Sequence, residues 1–180
     1  MNERRIPDGS PSSHRDWVEE IVERYQRPLL AYAGRLLHGD HAKAQDAVQE
    51  TFLRLCKEDA GQLQSRVAAW LFTVCRSRVI DMQRSPGYSN KGHAMNSIDQ
   101  VPIADPTPDA SRQAEDKEQT SRLAELVNSL TPRQQEVIRL RLQADLSYRE
   151  IAEVTGMTVS NVGFHLHAAV RSLRDAMNAV

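Results

Sequence analysis

The chain has 180 residues, 40% of them hydrophobic and 26% charged, which is enough for one ordinary domain or two small ones with a modest core each. Its 23 Lys and Arg face 24 Asp and Glu, so a nucleic-acid partner has to be argued from local patches and not from bulk charge. No run approaches the ~20 apolar residues that cross a bilayer and no secretory segment is evident, so the expected location is the cytoplasm.

Residues 1–14, rich in Pro, Gly, Ser and charge, bury too little to stay ordered and read as a tail. From Trp17 the residues Val18, Ile21, Val22, Tyr25, Leu29, Leu30, Ala33, Leu36 and Leu37 recur at helical spacing, with Pro28 as a candidate kink. Asp40 is a natural N-cap for a second helix running to about Lys57. Gly61 interrupts, and a third helix runs from about Ser65 to Arg84. Cys56 and Cys75 lie far apart without Cys-x-x-Cys spacing and read as reduced core thiols, with neither a disulfide framework nor a zinc site indicated.

The second helix places Ala44, Val48, Thr51, Phe52 and Leu55 inward and Asp46, Gln49, Glu50 and Leu53 together outward. An apolar leucine among carboxylates and an amide suggests a protein partner. On the third helix, Val67, Leu71, Val74, Cys75, Val79 and Met82 form a broad buried face. Trp70, Thr73, Ser77 and Arg84 line a different face, with Arg66 and Arg76 beside it and Arg78 toward the opposite side. Residues 66–84 hold four arginines against Asp81, a local positive patch, and Trp70 with arginines along one face is what capture of single-stranded DNA requires.

The stretch 85–111 carries four prolines and two glycines and reads as a linker. Helical spacing resumes at Leu123, Leu126, Val127 and Leu130, and Thr131, Pro132 and Gln134 form a restart signal of N-cap, first-turn proline and capping box. A second capping box, Ser147 with Glu150, starts a short helix that stops at Gly156, and Thr158 caps the next. Two helices joined by a glycine turn make a helix-turn-helix, whose second helix lies in the DNA major groove. There Val159, Val162, Leu166, Ala169, Val170 and Leu173 are expected inward, and Ser160, Asn161, Phe164, Ala168 and Arg171 outward, flanked by His165 and His167. Asn161 can pair with adenine and Phe164 can touch a thymine methyl. Two histidines two positions apart on a helix diverge, so no metal site is expected. No segment alternates at period two, and the expected fold is all-α, in two small helical domains.

The segments AQDAVQETFLRLCK (44–57), AAWLFTVCRSRVIDMQR (68–84) and LTPRQQEVIRLRLQADLSYREIAEVTGMTVSNVGFHLHAAVRSLR (130–174) resemble regions 2 and 4 of RNA polymerase sigma factors of the extracytoplasmic-function type, within the sigma-70 family. The resemblance spans Trp17 to Met177 and implies a tail (1–14), a region 2 bundle (15–84), a linker (85–114) and a region 4 helix-turn-helix domain (115–180). It implies that Asp46, Gln49, Glu50 and Leu53 dock on the β′ clamp helices of core RNA polymerase. Arg66, Trp70, Thr73, Arg76, Ser77 and Arg84 would take the melted promoter strand. Ser160, Asn161, Phe164, His165 and Arg171 would read the upstream promoter element. An anti-sigma factor is a further expected partner, since factors of this family are often held between their two domains. No cofactor is implied.

Two departures from the family pattern bear on function. Many members have asparagine where Ser77 stands, and many carry Lys or Arg where this chain has Gly163, Phe164 and His165. The expected intrinsic grip on duplex DNA is weak, with phosphate neutralisation left to the polymerase. The C-terminal part alone also resembles LuxR-type regulators, but these carry a ligand-binding or phosphoacceptor α/β domain ahead of it, and here that half is helical. Without a phosphate loop, metal cluster or nucleophile motif, no enzymatic activity is expected.

Overall fold

A computed structural model describes residues 14–63, 66–85 and 125–178. The expected tail and linker therefore lie outside the described residues, apart from His14 and Ser85. Every regular element among the described residues is helical.

The first bundle contains α1 (His14–Leu36), α2 (His41–Leu55), the single turn α3 (Ala60–Leu63) and α4 (Val67–Arg84). Helix α1 begins before Trp17 and carries Pro28 inside it. It ends in a Schellman turn: His38 is left-handed at φ 54°, and the Gly39 N–H reaches back to the Gly34 carbonyl at 2.9 Å. Asp40 caps α2, its carboxylate accepting from the Lys43 N–H at 3.1 Å and the Lys43 ammonium at 2.7 Å. The break expected around Gly61 lies between α2 and α4, where the Asp59 carboxylate accepts the Gly61 N–H at 2.8 Å within the single turn α3.

Leu29 and Ala33 from α1, Ala47 and Leu55 from α2, and Leu71, Phe72 and Val79 from α4 are buried in the core. Each such Leu or Phe contributes about 1.5–3 kcal/mol by leaving water. Val74 and Met82 are only half-buried, while Phe72, absent from the expected face, is fully covered. Helix α4 packs against both α1 and α2, which widens its buried arc beyond a single stripe. Cys75 is a core thiol as expected, but Cys56 is exposed. Cys56 is the C-cap of α2, beyond the last turn that faces the core.

The second bundle comprises the helical residues 125–128 (α5), α6 (Pro132–Leu142), α7 (Tyr148–Thr155) and α8 (Val159–Asn178). Both expected capping boxes form, Thr131 with Gln134 and Ser147 with Glu150. Gly156 takes the left-handed conformation, φ 71°, that closes α7, and Thr158 Oγ1 accepts the Asn161 N–H at 3.2 Å. Val162, Leu166 and Ala169 of α8 join Val137 and Leu140 of α6 and Ile151 and Val154 of α7 in the core. Val159 and Val170 were expected inward but are exposed. Val159 stands in the first turn, where side chains lean back past the helix start. Val170 is at the edge of the stripe through Leu166 and Leu173.

Candidate functional site

Helix α2 turns Asp46, Gln49, Glu50 and Leu53 to one side, as spacings of three, four and seven residues require. Asp46, Gln49 and Leu53 are exposed, Leu53 by 54%, and Glu50 is half-buried. Arg54 Nε reaches the Glu50 carboxylate at 3.2 Å, an i,i+4 pair open to solvent. The result is an apolar knob ringed by two carboxylates and an amide.

Along α4 the residues Arg66, Thr73, Ser77 and Arg84 are exposed, and Arg76 and Trp70 are half-buried. Trp70 is partly buried and packs against the core. Thr73 donates its hydroxyl to the Ala69 carbonyl at 2.7 Å.

The arginine stripe does not stand free: α7 of the second bundle packs on α4, and the two bundles share a set of polar contacts. Arg76 Nε donates to Glu136 Oε1 at 2.9 Å, and the Tyr32 hydroxyl donates to the same oxygen at 3.0 Å. Arg133 stands 3.5 Å from Glu136 Oε2. At the rim Arg66 Nη2 donates to Glu153 Oε2 at 2.9 Å, and Arg35 Nη1 to Asn128 Oδ1 at 2.7 Å. Between α4 and α7 remains a cleft of about 320 Å³ lined by Thr73, Arg76, Ser77, Arg84, Glu153 and Gly156, among others.

Glu136 is the centre of this set, with its side chain only 8% exposed. Burial, followed by the charge of Glu136, pushes the Tyr32 phenol well above its usual range, so it stays a proton donor. Burial alone would lower the Arg76 guanidinium, but its bond to Glu136 and the nearby Tyr32 outweigh that, and the net direction is upward. Sequence reasoning did not single out Tyr32, Glu136 or Glu153. One local signal existed: Glu136 sits one turn from Leu140 and beside Val137, a carboxylate on the inward side of a capped helix.

On α8, Ser160, Asn161, Phe164 and Arg171 are exposed and His165 is half-buried. Phe164, 69% exposed, meets the His165 ring edge-on, centroids 5.5 Å apart. Arg171 lies 3.9 Å from Asp175, and the first two turns of α8, residues 159–166, contain no Lys or Arg. A methyl group added at Gly163 would meet Tyr148 Cε2 at 3.8 Å, an ordinary contact, so packing does not require glycine there. Among the described residues no cluster of three or more His, Cys, Asp or Glu is arranged to hold a metal, and no helix is long and apolar enough to cross a membrane.

Comparison with known proteins agrees with this division. The family described as Sigma-70 region 2 matches residues 21–87, and that described as Sigma-70, region 4 matches residues 120–173. The ECF RNA polymerase sigma factor SigL of Mycobacterium tuberculosis is 33% identical over 92% of this chain and 92% of its own length. RNA polymerase sigma factor YlaC of Bacillus subtilis is 32% identical over 91% of this chain and 94% of its own. The solved structure of CnrH in complex with the cytosolic domain of CnrY shares the fold, with TM-score 0.54 and 22% identity over 92% of this chain and 90% of that one.

Proposed function

Because the chain belongs to the sigma-70 family, among the extracytoplasmic-function RNA polymerase sigma factors, it is a transcription initiation factor, and we propose the following roles for its surfaces. The α2 patch of Asp46, Gln49, Glu50 and Leu53 docks on the β′ clamp helices of core polymerase. The exposed leucine supports this reading: it offers apolar area that carboxylates keep soluble until a partner covers it.

The α4 stripe of Arg66, Trp70, Thr73, Arg76, Ser77 and Arg84 holds the melted strand. Guanidinium groups meet phosphates, and Trp70 gives an unstacked base a surface to stack on. Capture of bases already out of the stack draws the opening equilibrium forward, with the polymerase supplying the rest. Ser77 replaces the amide common at this position with a shorter donor, which alters the preference for the captured base. Ser160, Asn161, Phe164, His165 and Arg171 read the upstream element. Few cations in the first turns of α8 mean that base edges and methyl groups, more than phosphates, set what this helix contributes.

The chain performs no covalent step, since nucleotide addition belongs to the polymerase. It acts in the cytoplasm, and an anti-sigma factor restrains it. The single observation that carries the initiation reading is the presence of both sigma regions, in order, in one chain. The experiment that tests the α4 assignment is Trp70→Ala in the core-bound factor. Open-complex formation falls while closed-complex binding holds if the ring takes a base; loss of thermal stability alone contradicts it.

A further inference from the structure

We propose that Arg78 is a further docking residue for core polymerase, taking a carboxylate from a polymerase helix laid across α2 and α4; this rests on assigning the α2 patch to core binding. Arg78 is half-buried, and its Nε is out of solvent with no hydrogen-bond partner. Among the described residues no carboxylate serves it: Asp81, three positions on, lines the cleft toward α7, and Glu50 of α2 pairs with Arg54. A dry guanidinium N–H without an acceptor is destabilising, and an acceptor supplied by a partner removes that penalty.

The place of Arg78 in the bundle says which partner this is. Cys75 meets Thr51 of α2, whereas Phe72 meets the Tyr32 ring edge-on and Gln83 donates to the Leu36 carbonyl, so α1 lies on the other side of the core stripe. At 3.6 residues per turn Arg78 stands about 60° round from Cys75, away from Phe72 and Gln83. That is the outer flank of the seam between α4 and α2, while Thr73, Ser77 and Arg84 line the cleft toward α7. The melted-strand stripe and Arg78 are therefore on different sides of α4.

Val74, Arg78 and Met82 form one ridge at a spacing of four, each half-buried. Ridges of this spacing pack into the grooves of a second helix, and Met and Arg are enriched where protein surfaces meet. The Thr51–Cys75 contact sets the ridge within a turn of Glu50 and Leu53 along the bundle, so one helix reaching over the α2 patch meets both. The α2 carboxylates call for cations on that helix, and Arg78 calls for an acid beside them. A pattern of both signs fixes register as well as affinity.

The test titrates the labelled full chain onto core polymerase freed of sigma factor. Arg78→Met keeps the apolar length of the side chain and removes the guanidinium. Core affinity falls about tenfold or more, as loss of one partner of a buried charged pair requires. Tm holds or rises, because the variant has no unpaired N–H to bury. Open complexes at saturating chain are unchanged. A photo-crosslinking amino acid in place of Val74, with Arg78 intact, marks a polymerase subunit in the bound state.

Unchanged core affinity overturns the proposal, and so does a crosslink to promoter DNA alone. A deficit of open complexes at saturation, with core affinity intact, gives Arg78 to the DNA strand instead. If Arg78→Met also melts lower, the crosslink decides: a marked polymerase subunit supports the role, and none overturns it. Asp46→Arg with Glu50→Arg separates this idea from the one beneath it. If that variant loses core affinity while Arg78→Met keeps it, only the Arg78 role falls; if both keep it, the α2 assignment falls too.

Discussion

Arg76 on α4 and Glu136 on α6 are 60 positions apart in sequence, yet Arg76 Nε lies 2.9 Å from Glu136 Oε1, with the Tyr32 hydroxyl on the same oxygen. This relationship joins the two bundles through a carboxylate that solvent scarcely reaches. Tyr32→Phe removes one donor and keeps the edge-on ring contact with Phe72. The expected cost is about 1 kcal/mol, a fall of roughly 2–4 °C in Tm. Glu136→Ala leaves both Tyr32 and Arg76 without their acceptor and costs more, about 1–3 kcal/mol. Thermal unfolding of the three proteins side by side checks the order.

The α2 patch gives a prediction on binding without stability. Asp46→Arg with Glu50→Arg reverses charge on a surface whose only described pair is the solvent-open one with Arg54. Unfolding free energy stays within about 0.5 kcal/mol of the parent. Affinity for core polymerase falls by at least about tenfold, as rim and patch charges facing a complementary surface require. Unaltered affinity in a titration removes the docking assignment.

Much of the local architecture was legible because its determinants are local. The capping boxes at Thr131 and Ser147, the Asp40 cap and the left-handed Gly156 each depend on a few adjacent residues, and all four formed. The joint between the bundles was not legible. Tyr32, Arg76 and Glu136 come from three helices, and nothing in any one helix says which distant arginine a carboxylate will meet. Cys56, Val159 and Val170 went wrong for a related reason: periodicity gives a direction around a helix axis, but not where the neighbouring helices end.

The recognition helix carries two separable effects. Phe164 is exposed, so Phe164→Ala costs little stability, and its loss changes preference within the upstream element more than it changes salt dependence. Equal losses on every upstream sequence contradict base reading. Gly163→Ala acts on the fold instead. A methyl group fits against Tyr148, and replacing glycine inside a helix adds roughly 0.5–1 kcal/mol of stability. A lower Tm for this variant means the glycine is needed by the fold.

The cysteines should differ in reactivity. Burial pushes the Cys75 thiol up to about 12, while Cys56 is exposed. At pH 8 iodoacetamide labels Cys56 and leaves Cys75 unmodified in the native chain, read by peptide mass; labelling of both before unfolding contradicts the packing of α2 on α4. Because the raised value favours the neutral thiol in the folded state, this group's stabilising contribution is intact below its ordinary titration range. It is lost as pH climbs toward 12.

The central claim is that one chain both binds core polymerase and selects a promoter. Titration of labelled chain onto core polymerase freed of sigma factor, followed by scoring of open complexes on a random promoter library, tests it most directly. The account predicts saturable binding to core and enrichment of a two-part promoter, with one element melted and one upstream. A chain that ignores core polymerase and shifts duplex DNA by itself contradicts it.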